Sequence, residues 1–365
     1  MYLIILLALV VLTVSSPWLR RHEFAIACLI GVALLLLAVM RDEQVAHDFV
    51  VYEEIVDNLY RDISDDTGYY TMEPGFALPL AVSRQYLALP PDGALRVIVV
   101  CFALVALVSK FLVFRLSGLP ILAALLVYYA YYFFLHEMVQ MRIGAAIGLL
   151  MLGTLYLSRG RPWAFCGFVL AASLFHVSSL VYLAVPVARW FGSVRRMTAL
   201  ALVVVVGFGA LYSVSAVTLT LERSSIGLFN RALRYFSEYN EVEVPFWGTK
   251  LLTQLAIAAA LYYPVTRLEA HSRFITFLYK THLLALMLYA ALFLSPVLAY
   301  RVFDVVSCAQ PLLLAGCAFA FGSRLRPLYF VGLATYAALT FYQIHYKLEI
   351  VRPYGFDVIG VSLHP

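Results

Sequence analysis

The sequence predicts an all-α, polytopic integral membrane protein. Of its 365 residues, 63% are hydrophobic and only 13% are charged, whereas about 25% charged residues is typical of soluble globular domains. The mean hydropathy is +0.88, and apolar runs close to the roughly 20 residues that cross a bilayer as a helix recur along the whole chain. This composition excludes an ordinary soluble protein. We therefore interpret the net charge of +5 through membrane topology, and we predict no nucleic-acid partner.

Eleven apolar segments are predicted to cross the membrane. They cover about residues 2–19, 23–40, 94–114, 119–135, 138–157, 163–190, 197–220, 248–266, 274–294, 304–322 and 327–345. We interpret 2–19 as the first span and not as a cleaved signal peptide, because no basic region precedes it and a second span follows at once. A single integral membrane domain over residues 1–365 is the expected organisation.

The segment 163–190 is predicted to enter the membrane and return. It is too long for one simple crossing, it contains Pro186, and arginines flank both of its ends. A hairpin with its tip near His176 places six linkers on one side, around 20–22, 115–118, 158–162, 189–196, 267–273 and 323–326. With Lys110 and Lys280 counted at helix ends, that side is strongly basic, whereas nearly all acidic residues lie on the other. The positive-inside rule assigns the basic side to the cytoplasm.

Two predicted periplasmic segments, 41–93 and 221–247, are long enough to be more than connectors. The first contains an apolar stretch interrupted by Pro79, which indicates a short re-entrant or interfacial helix. The second contains GLFNRALRYFSEY, whose apolar and basic residues have the spacing of an amphipathic helix on a membrane surface. Both segments are predicted to contribute to the active site.

Arg142, Arg231, Arg234 and Arg301 are predicted to face the outer headgroup region. Arginine binds phosphate oxygens in a bidentate fork without a metal. Taken singly, each could extend to lipid phosphates from a helix end. Four such residues on one side predict a site that binds phosphate groups. For Asp304, one helical turn after Arg301, the structural alternative is that it neutralises that arginine.

Three residues are candidate general bases for a sugar hydroxyl. Asp48, ranked first, directly follows a span, Glu73 begins the turn-forming sequence EPGF, and His176 lies inside the apolar hairpin. A carboxylate or an imidazole can take the proton of an attacking hydroxyl when its pKa suits that task. A structural role is the alternative for His176, and hydrogen bonding to a hydroxyl is the alternative for the carboxylates.

Further polar residues beside these groups are candidate substrate-binding residues: Tyr52, Gln140, Tyr235 and Asp304. No P-loop, GxGxxG, HExxH or GxSxG motif is present, which removes support for nucleotide-binding, zinc-protease and hydrolase functions. The five cysteines have no paired spacing and no histidine partners of the zinc-site type. We therefore predict no cofactor and no metal.

Seven short motifs resemble, in order and approximate spacing, the EpsG family of Wzy-type polysaccharide polymerases. They are MRDEQVAHDFVVYEEI, EPGFALPL, MVQMRIGAAIGLL, SLFHVSSL, NRALRYF, YRVFDVVS and RPYGF, and together they span nearly the whole chain. The chain departs from the first motif at Ala46 and His47, where the family usually has a Gly-Thr or similar pair before the aspartate, here Asp48.

The resemblance implies a multi-pass glycosyltransferase of the bacterial inner membrane with a GT-C-like architecture. Such an enzyme joins undecaprenyl-pyrophosphate-linked oligosaccharide repeat units on the periplasmic side, without a metal, and in-line attack would invert the anomeric configuration. The implied partners are the lipid-linked donor and acceptor, the bilayer and a chain-length regulator of the Wzz type. The polymer can be O-antigen lipopolysaccharide, capsule or exopolysaccharide.

Three alternatives remain open at this point. An O-antigen ligase or another polyprenyl-linked glycosyltransferase would use the same lipid-linked donor with a different acceptor. A flippase or transporter would move the lipid-linked oligosaccharide without chemistry, and its ionisable residues should then follow a path through the bilayer centre. The candidate residues crowd one interface instead, which favours the enzyme.

Overall fold

A computed structural model describes residues 1–41, 47–60, 72–213, 245–348, 356–358 and 361–363. Of residues 47, 48, 356–358 and 361–363 it describes only the backbone. Within these ranges the chain is helical except for one short hairpin, so the predicted all-α class is confirmed. The hairpin pairs Phe356–Val358 (β1) with Val361–Leu363 (β2) in antiparallel register. It was not predicted.

The α-helices are numbered in chain order. They are α1 (Tyr2–Val14), α2 (Ser16–Leu19), α3 (Glu23–Val39), α4 (His47–Tyr60), α5 (Pro74–Gln85), α6 (Pro91–Ser117), α7 (Ile121–Val127), α8 (Met141–Ser158), α9 (Pro162–Ser173), α10 (Val194–Ser213), α11 (Thr249–Leu268), α12 (Arg273–Leu292), α13 (Pro296–Val306), α14 (Gln310–Gly316) and α15 (Arg326–Tyr342). Two π-helices, Tyr128–Val139 and Gln343–Lys347, continue α7 and α15, and two 3-10 helices cover Val177–Arg189 and Cys317–Ala320.

Among the described residues, five helical segments are apolar and long enough to cross a membrane. They are Pro91–Ser117, Ile121–Val139, Met141–Ser158, Val194–Ser213 and Arg273–Leu292. The pair Pro296–Val306 and Gln310–Ala320, bent by 49°, forms a sixth if it is one broken span. The described residues thus contain several candidate membrane-spanning helices, whereas the number eleven stays a prediction. Four other apolar helices have 10–17 residues, shorter than the predicted spans.

The chain groups into two compact units. The first contains Met1–Leu180 and Leu314–Pro365, and the second contains Val181–Leu313. The predicted single domain over residues 1–365 stays a prediction. In the first unit, an apolar cluster joins α4, α5, α6 and the start of α8 through Tyr52, Phe76, Phe102 and Met141. The ring of Phe76 lies 6.1 Å from that of Tyr52 and 6.3 Å from that of Phe102.

Two predicted local features are found at the expected positions. A short helix, α5, occupies the stretch around Pro79, and the segment 163–190 is interrupted between α9 and Val177, next to His176. The return of that segment through the membrane stays a prediction. The placement of Lys110 at a helix end was wrong, because Lys110 lies within α6 and is 1% exposed. Lys280 reaches the carbonyl oxygens of Phe191 and Gly192 at 2.6 and 3.2 Å.

Candidate active site

Four of the predicted site residues meet in the first unit: Tyr52, Glu73, Arg142 and His176. Nη1 of Arg142 lies 2.8 Å from Oε2 of Glu73, and Nδ1 of His176 lies 3.3 Å from Oε1 of the same carboxylate. Nε of Arg142 donates a hydrogen bond of 3.4 Å to the hydroxyl of Tyr52. One carboxylate therefore holds a guanidinium and an imidazole side by side, and we call these four residues the Arg142 cluster.

Glu73 is positioned by the start of α5. It precedes Pro74, and a residue before proline is driven out of the helical region by steric conflict with the proline ring. Glu73 accordingly has φ −60° and ψ 150°, and it caps the helix that Pro74 begins. Its carbonyl accepts hydrogen bonds from the amides of Phe76 and Ala77 at 2.8 and 3.0 Å. The side chain thus leaves the helix end at a fixed angle.

His176 is brought to Glu73 by a backbone contact between two distant segments. The amide of Gly75 donates a hydrogen bond of 2.7 Å to the carbonyl of Leu174, in the break that follows α9. A Cβ atom at Gly75 would lie 2.8 Å from that oxygen and 2.9 Å from the ring of Phe175. Only glycine permits this approach. The EPGF turn and the helix break therefore place the carboxylate beside the imidazole.

Arg142 is positioned by an irregular helix junction. The π-helix Tyr128–Val139 ends at Gln140, whose φ of −90° and ψ of 59° separate it from α8. Arg142 is the second residue of α8, and its side chain is 27% exposed. π-Helical segments are rare and frequently occur at functional sites. The predicted substrate-binding residue Gln140 lies in this junction and is half-buried.

Two buried cations, Lys110 and Arg41, stabilise that junction. The ammonium of Lys110 forms a short ion pair with Glu137 and donates a hydrogen bond of 2.7 Å to the carbonyl of Gly144. Nη1 of Arg41 donates to the carbonyl of Glu137 at 2.8 Å. A Cβ atom at Gly144 would lie 2.9 Å from the carbonyl oxygen of His136. The residues before and after the break are therefore tied together across it.

The charges of the Arg142 cluster fix the ionisation of Glu73. Burial acts to raise the pKa of the Glu73 carboxyl, but hydrogen bonds with His176 and Arg142 and the positive charge of Arg142 outweigh it and lower the pKa to about 2. Glu73 is therefore ionised at neutral pH. A carboxylate that holds protons so weakly accepts one poorly in a transition state, since an efficient base has a pKa near the working pH.

Part of the Arg142 guanidinium remains available to an anion. Nη1 and Nε contact Glu73, Met72 and Tyr52, whereas Nη2 makes no hydrogen bond to any residue that the structure describes. The side chains of Glu73 and His176 are 14% and 24% exposed. The cluster is thus half-buried, with one guanidinium nitrogen and the imidazole accessible to a ligand.

In the second unit, Asp304 pairs with Lys250 and not with Arg301, the partner that the structural alternative gave it. Both oxygens of Asp304 lie within 2.9 Å of Nζ of Lys250, which is also 4.6 Å from the centroid of the Tyr300 ring. Lys250 projects from α11 and meets Asp304 across the helix pair, whereas Arg301 is exposed on α13. Sequence reasoning missed Lys250, although a lysine near the start of a predicted span is itself a signal of a buried partner.

The remaining candidates lie where their side chains are not described. Arg231, Arg234 and Tyr235 are outside the described residues, together with the predicted interfacial helix. Asp48 lies in α4 one turn before Tyr52, with only its backbone described. The first rank of Asp48 among the bases stays a prediction. The convergence of Arg231, Arg234 and Arg301 with Arg142 also stays a prediction.

The fold and the cluster together define a polytopic membrane protein with an arginine–carboxylate–imidazole site at the end of a spanning helix. The family model of the EpsG family matches residues 24–355, and the chain therefore belongs to the EpsG family. The predicted membership is confirmed. It identifies the protein as a membrane polysaccharide polymerase with glycosyltransferase-like activity. Neither the curated proteins nor the solved structures contain a match to this chain.

Proposed function

We propose that the protein is a Wzy-type polymerase that joins undecaprenyl-pyrophosphate-linked oligosaccharide repeat units on the periplasmic side of the bacterial inner membrane. Family membership supports a polysaccharide polymerase. The observation that carries the finer proposal is the contact of Glu73 with both Arg142 and His176. This arrangement supplies a cation for a leaving group and a base for a hydroxyl within one cluster.

In this proposal Arg142 stabilises the departing pyrophosphate. A polyprenyl pyrophosphate is already an activated leaving group, so the reaction needs no nucleotide. Negative charge grows on the pyrophosphate as the bond to the anomeric carbon breaks, and a fixed guanidinium stabilises that charge more in the transition state than in the ground state. Nη2 of Arg142 is the nitrogen that can take a phosphate oxygen while Nη1 keeps its contact with Glu73. Arg231, Arg234 and Arg301 are proposed to complete the anion site.

His176 is the proposed base, and Glu73 is the residue that orients it. When Nδ1 of His176 carries its proton toward Oε1 of Glu73, Nε2 is left to accept a proton. The acceptor sugar hydroxyl attacks the anomeric carbon as its proton passes to Nε2. The new glycosidic C–O bond forms, the bond to the pyrophosphate oxygen breaks, and undecaprenyl pyrophosphate leaves with the electron pair. Attack opposite the leaving group inverts the anomeric configuration.

The other notable residues of the first unit have supporting roles in this proposal. Tyr52 holds Nε of Arg142 through its hydroxyl and lies with its ring 5.5 Å from the guanidinium carbon. Tyr52 and Gln140 are proposed to contact the sugar, and Tyr235 and Asp304 are proposed to do so from their own segments. The eleven spans, the GT-C-like architecture and a Wzz-type regulator belong to the same proposal. The basic linkers support a periplasmic site through the positive-inside rule.

The direct test supplies purified protein in nanodiscs with its lipid-linked repeat unit and no membrane gradient. We expect a ladder of oligomers that remain attached to lipid. Absence of any coupled product from intact substrate would reject the polymerase. Transfer of the glycan to lipid A core without chain extension would identify a ligase, and movement of the lipid-linked unit across a vesicle membrane without coupling would identify a flippase.

The base is tested by His176→Ala, with His271→Ala as the matched control, because His271 is an exposed histidine in the second unit. We expect His176→Ala to lower the rate of coupling by about 10²–10⁴-fold, the usual contribution of a general base, and to remove the acidic limb of the pH–rate profile. An unchanged profile in His176→Ala together with loss of that limb in Asp48→Asn would transfer the role to Asp48.

A further inference from the structure

A polar cavity lies in the first unit, and none of the Arg142 cluster residues lines it. Its volume is about 220 Å³, and its polar lining consists of Arg20, Arg326, Glu23, Ser16 and Ser323. The apolar part of the wall includes Phe319, Phe330 and Leu119. These residues come from the chain between α1 and α3, from the turn after α6 and from the start of α15. They therefore share the end of the helix bundle at which these segments connect.

The cavity lies toward the other end of the helix bundle from Arg142. Glu23, in its wall, begins α3, and the other end of α3 leads to Arg41, which binds the carbonyl of Glu137 beside the helix junction that carries Arg142. Gly118, also in the wall, directly follows α6. The 27 residues of α6 span about 40 Å at 1.5 Å per residue. That length is close to the thickness of a bilayer with its headgroups.

The cavity has the charge to bind a phosphate. Nη2 of Arg326 donates to the carbonyl of Phe321 at 3.3 Å, while its Nε is buried and has no hydrogen-bond partner among the described residues. A buried N–H without an acceptor is costly, and a ligand oxygen would supply one. Glu23 does not occupy the arginines fully, because its Oε1 accepts a hydrogen bond of 3.0 Å from the amide of Leu122 at the start of α7. Arg20 is exposed beside it.

The surroundings of the cavity suit a lipid better than a soluble anion. Trp18 is 79% exposed, Leu325 57%, Leu328 68% and Phe319 41%. Exposed apolar and aromatic side chains at the end of spanning helices are typical of contact with acyl chains and headgroups. We infer that this cavity binds the phosphate group of a membrane phospholipid between Arg20 and Arg326, with the acyl chains against these apolar residues. The site is separate from the one proposed for the polyprenyl pyrophosphate.

The test compares two double variants of the full chain that differ only in which arginines are removed. Arg20→Ala with Arg326→Ala changes the cavity, whereas Arg21→Ala with Arg324→Ala removes two exposed arginines that do not line it. Each protein is delipidated in detergent and titrated with phosphatidylglycerol, and bound lipid is counted by native mass spectrometry. We expect the cavity variant to bind about tenfold more weakly, the loss that follows from about 1.4 kcal/mol of arginine–phosphate interaction, and the control variant to match wild type.

Two further arms separate lipid from free anion and binding from misfolding. Inorganic phosphate in large excess should displace little bound phosphatidylglycerol. Displacement of the lipid by phosphate at a concentration equal to that of the lipid would overturn the assignment to a lipid. Equal retention of phosphatidylglycerol in both double variants would overturn the site itself. If the alanine pair is not monodisperse, Arg20→Lys with Arg326→Lys decides, because lysine keeps the charge and loses the bidentate fork. We expect intermediate retention of phosphatidylglycerol in that variant, and retention equal to wild type would overturn the proposed role of the two guanidinium groups.

Discussion

Two ion pairs in the first unit have the same chemistry and opposite accessibility. Lys110 and Glu137 are 1% and 0% exposed, whereas Arg142 and Glu73 are 27% and 14% exposed. A sealed pair can only serve the framework, since no ligand reaches it. A partly exposed pair keeps its charges available to a substrate. The difference in exposure separates the residues that stabilise the helix junction, Lys110 and Glu137, from those that the junction presents to a ligand, Arg142 and Glu73.

The second unit contains a pair of the accessible kind. Lys250 and Asp304 are 22% and 18% exposed, and the Lys250 ammonium lies near the rings of Tyr300 and Phe303. Such a pair can hydrogen-bond to hydroxyl groups, and the neighbouring aromatic rings supply apolar faces. The comparison with Lys110 and Glu137 therefore supports the proposed substrate contact of Asp304 over a purely structural role.

The largest expected effect comes from breaking the sealed pair. Lys110→Met leaves the Glu137 carboxylate buried without its cation, which should cost about 3–5 kcal/mol of unfolding free energy. The measurement is chemical unfolding of the purified protein in detergent micelles. Lys347→Met is the control, since Lys347 is exposed, and it should be nearly neutral. A loss of stability no greater than that of the control would show that the pair does not hold the junction.

Removal of the accessible cation should affect activity and not folding. Arg142→Ala is expected to slow coupling by about 10²–10³-fold, the usual cost of losing one preorganised group that stabilises transition-state charge, with an unfolding free energy within about 1 kcal/mol of wild type. Coupling is measured on the lipid-linked repeat unit. Arg161→Ala, which removes an exposed arginine at the start of α9, should retain full activity. Normal coupling by Arg142→Ala would refute the leaving-group role.

The accessible pair should also appear in the pH dependence of stability. The folded-state pKa of Glu73, about 2, is below its ordinary value of 4.5, so its contribution is fully present above about pH 5 and is lost as the pH falls toward 2. The contribution is at most about 3 kcal/mol, at 1.36 kcal/mol per pKa unit. Glu73→Gln should lack this acid-dependent component. The readout is the difference in unfolding free energy between the two proteins from pH 7 to pH 3, and a constant difference would contradict the assignment.

The smallest expected effect concerns the backbone joint that brings the two segments together. Gly75→Ala places a methyl group 2.8 Å from the carbonyl oxygen of Leu174, and overpacking of this kind costs about 1–3 kcal/mol. Gly167→Ala is the control, because no atom lies within 4 Å of the added group, and a helical alanine should be neutral or stabilising. We expect coupling to fall in Gly75→Ala only. Equal behaviour of the two variants would show that the joint tolerates expansion.

Sequence reasoning selected the four residues of the Arg142 cluster as separate candidates because ionisable residues near spans are rare enough to be informative, but it did not predict their contacts. Tyr52, Glu73, Arg142 and His176 each lie in a short polar motif next to an apolar run, and the structure brings them together. Sequence reasoning did not predict the sealed pair, since a hydropathy pattern does not show that Lys110 faces Glu137, 27 positions away. The partner of Asp304 was missed for the same reason, since Lys250 is 54 positions away.

The geometry of the helices was the second feature that the sequence did not predict. An apolar run predicts a helix, but the hydrophobic pattern of an almost uniformly apolar segment does not distinguish a π-helix from an α-helix, so the π-helix Tyr128–Val139 was not expected. The break predicted after residue 135 lies at Gln140. The same uniform hydrophobicity explains why some helices are shorter than the spans predicted from the sequence. Helices such as Pro162–Ser173 end earlier than their apolar runs because a backbone break, and not polarity, ends them.

The hydrogen bond between the Gly75 amide and the Leu174 carbonyl has a consequence for turnover. The bond joins the two main-chain segments that carry the imidazole and the carboxylate. The two groups are therefore held together before any substrate binds. In the proposed mechanism, an incoming glycan therefore meets a base that is already oriented, and its binding costs no further ordering of these two groups.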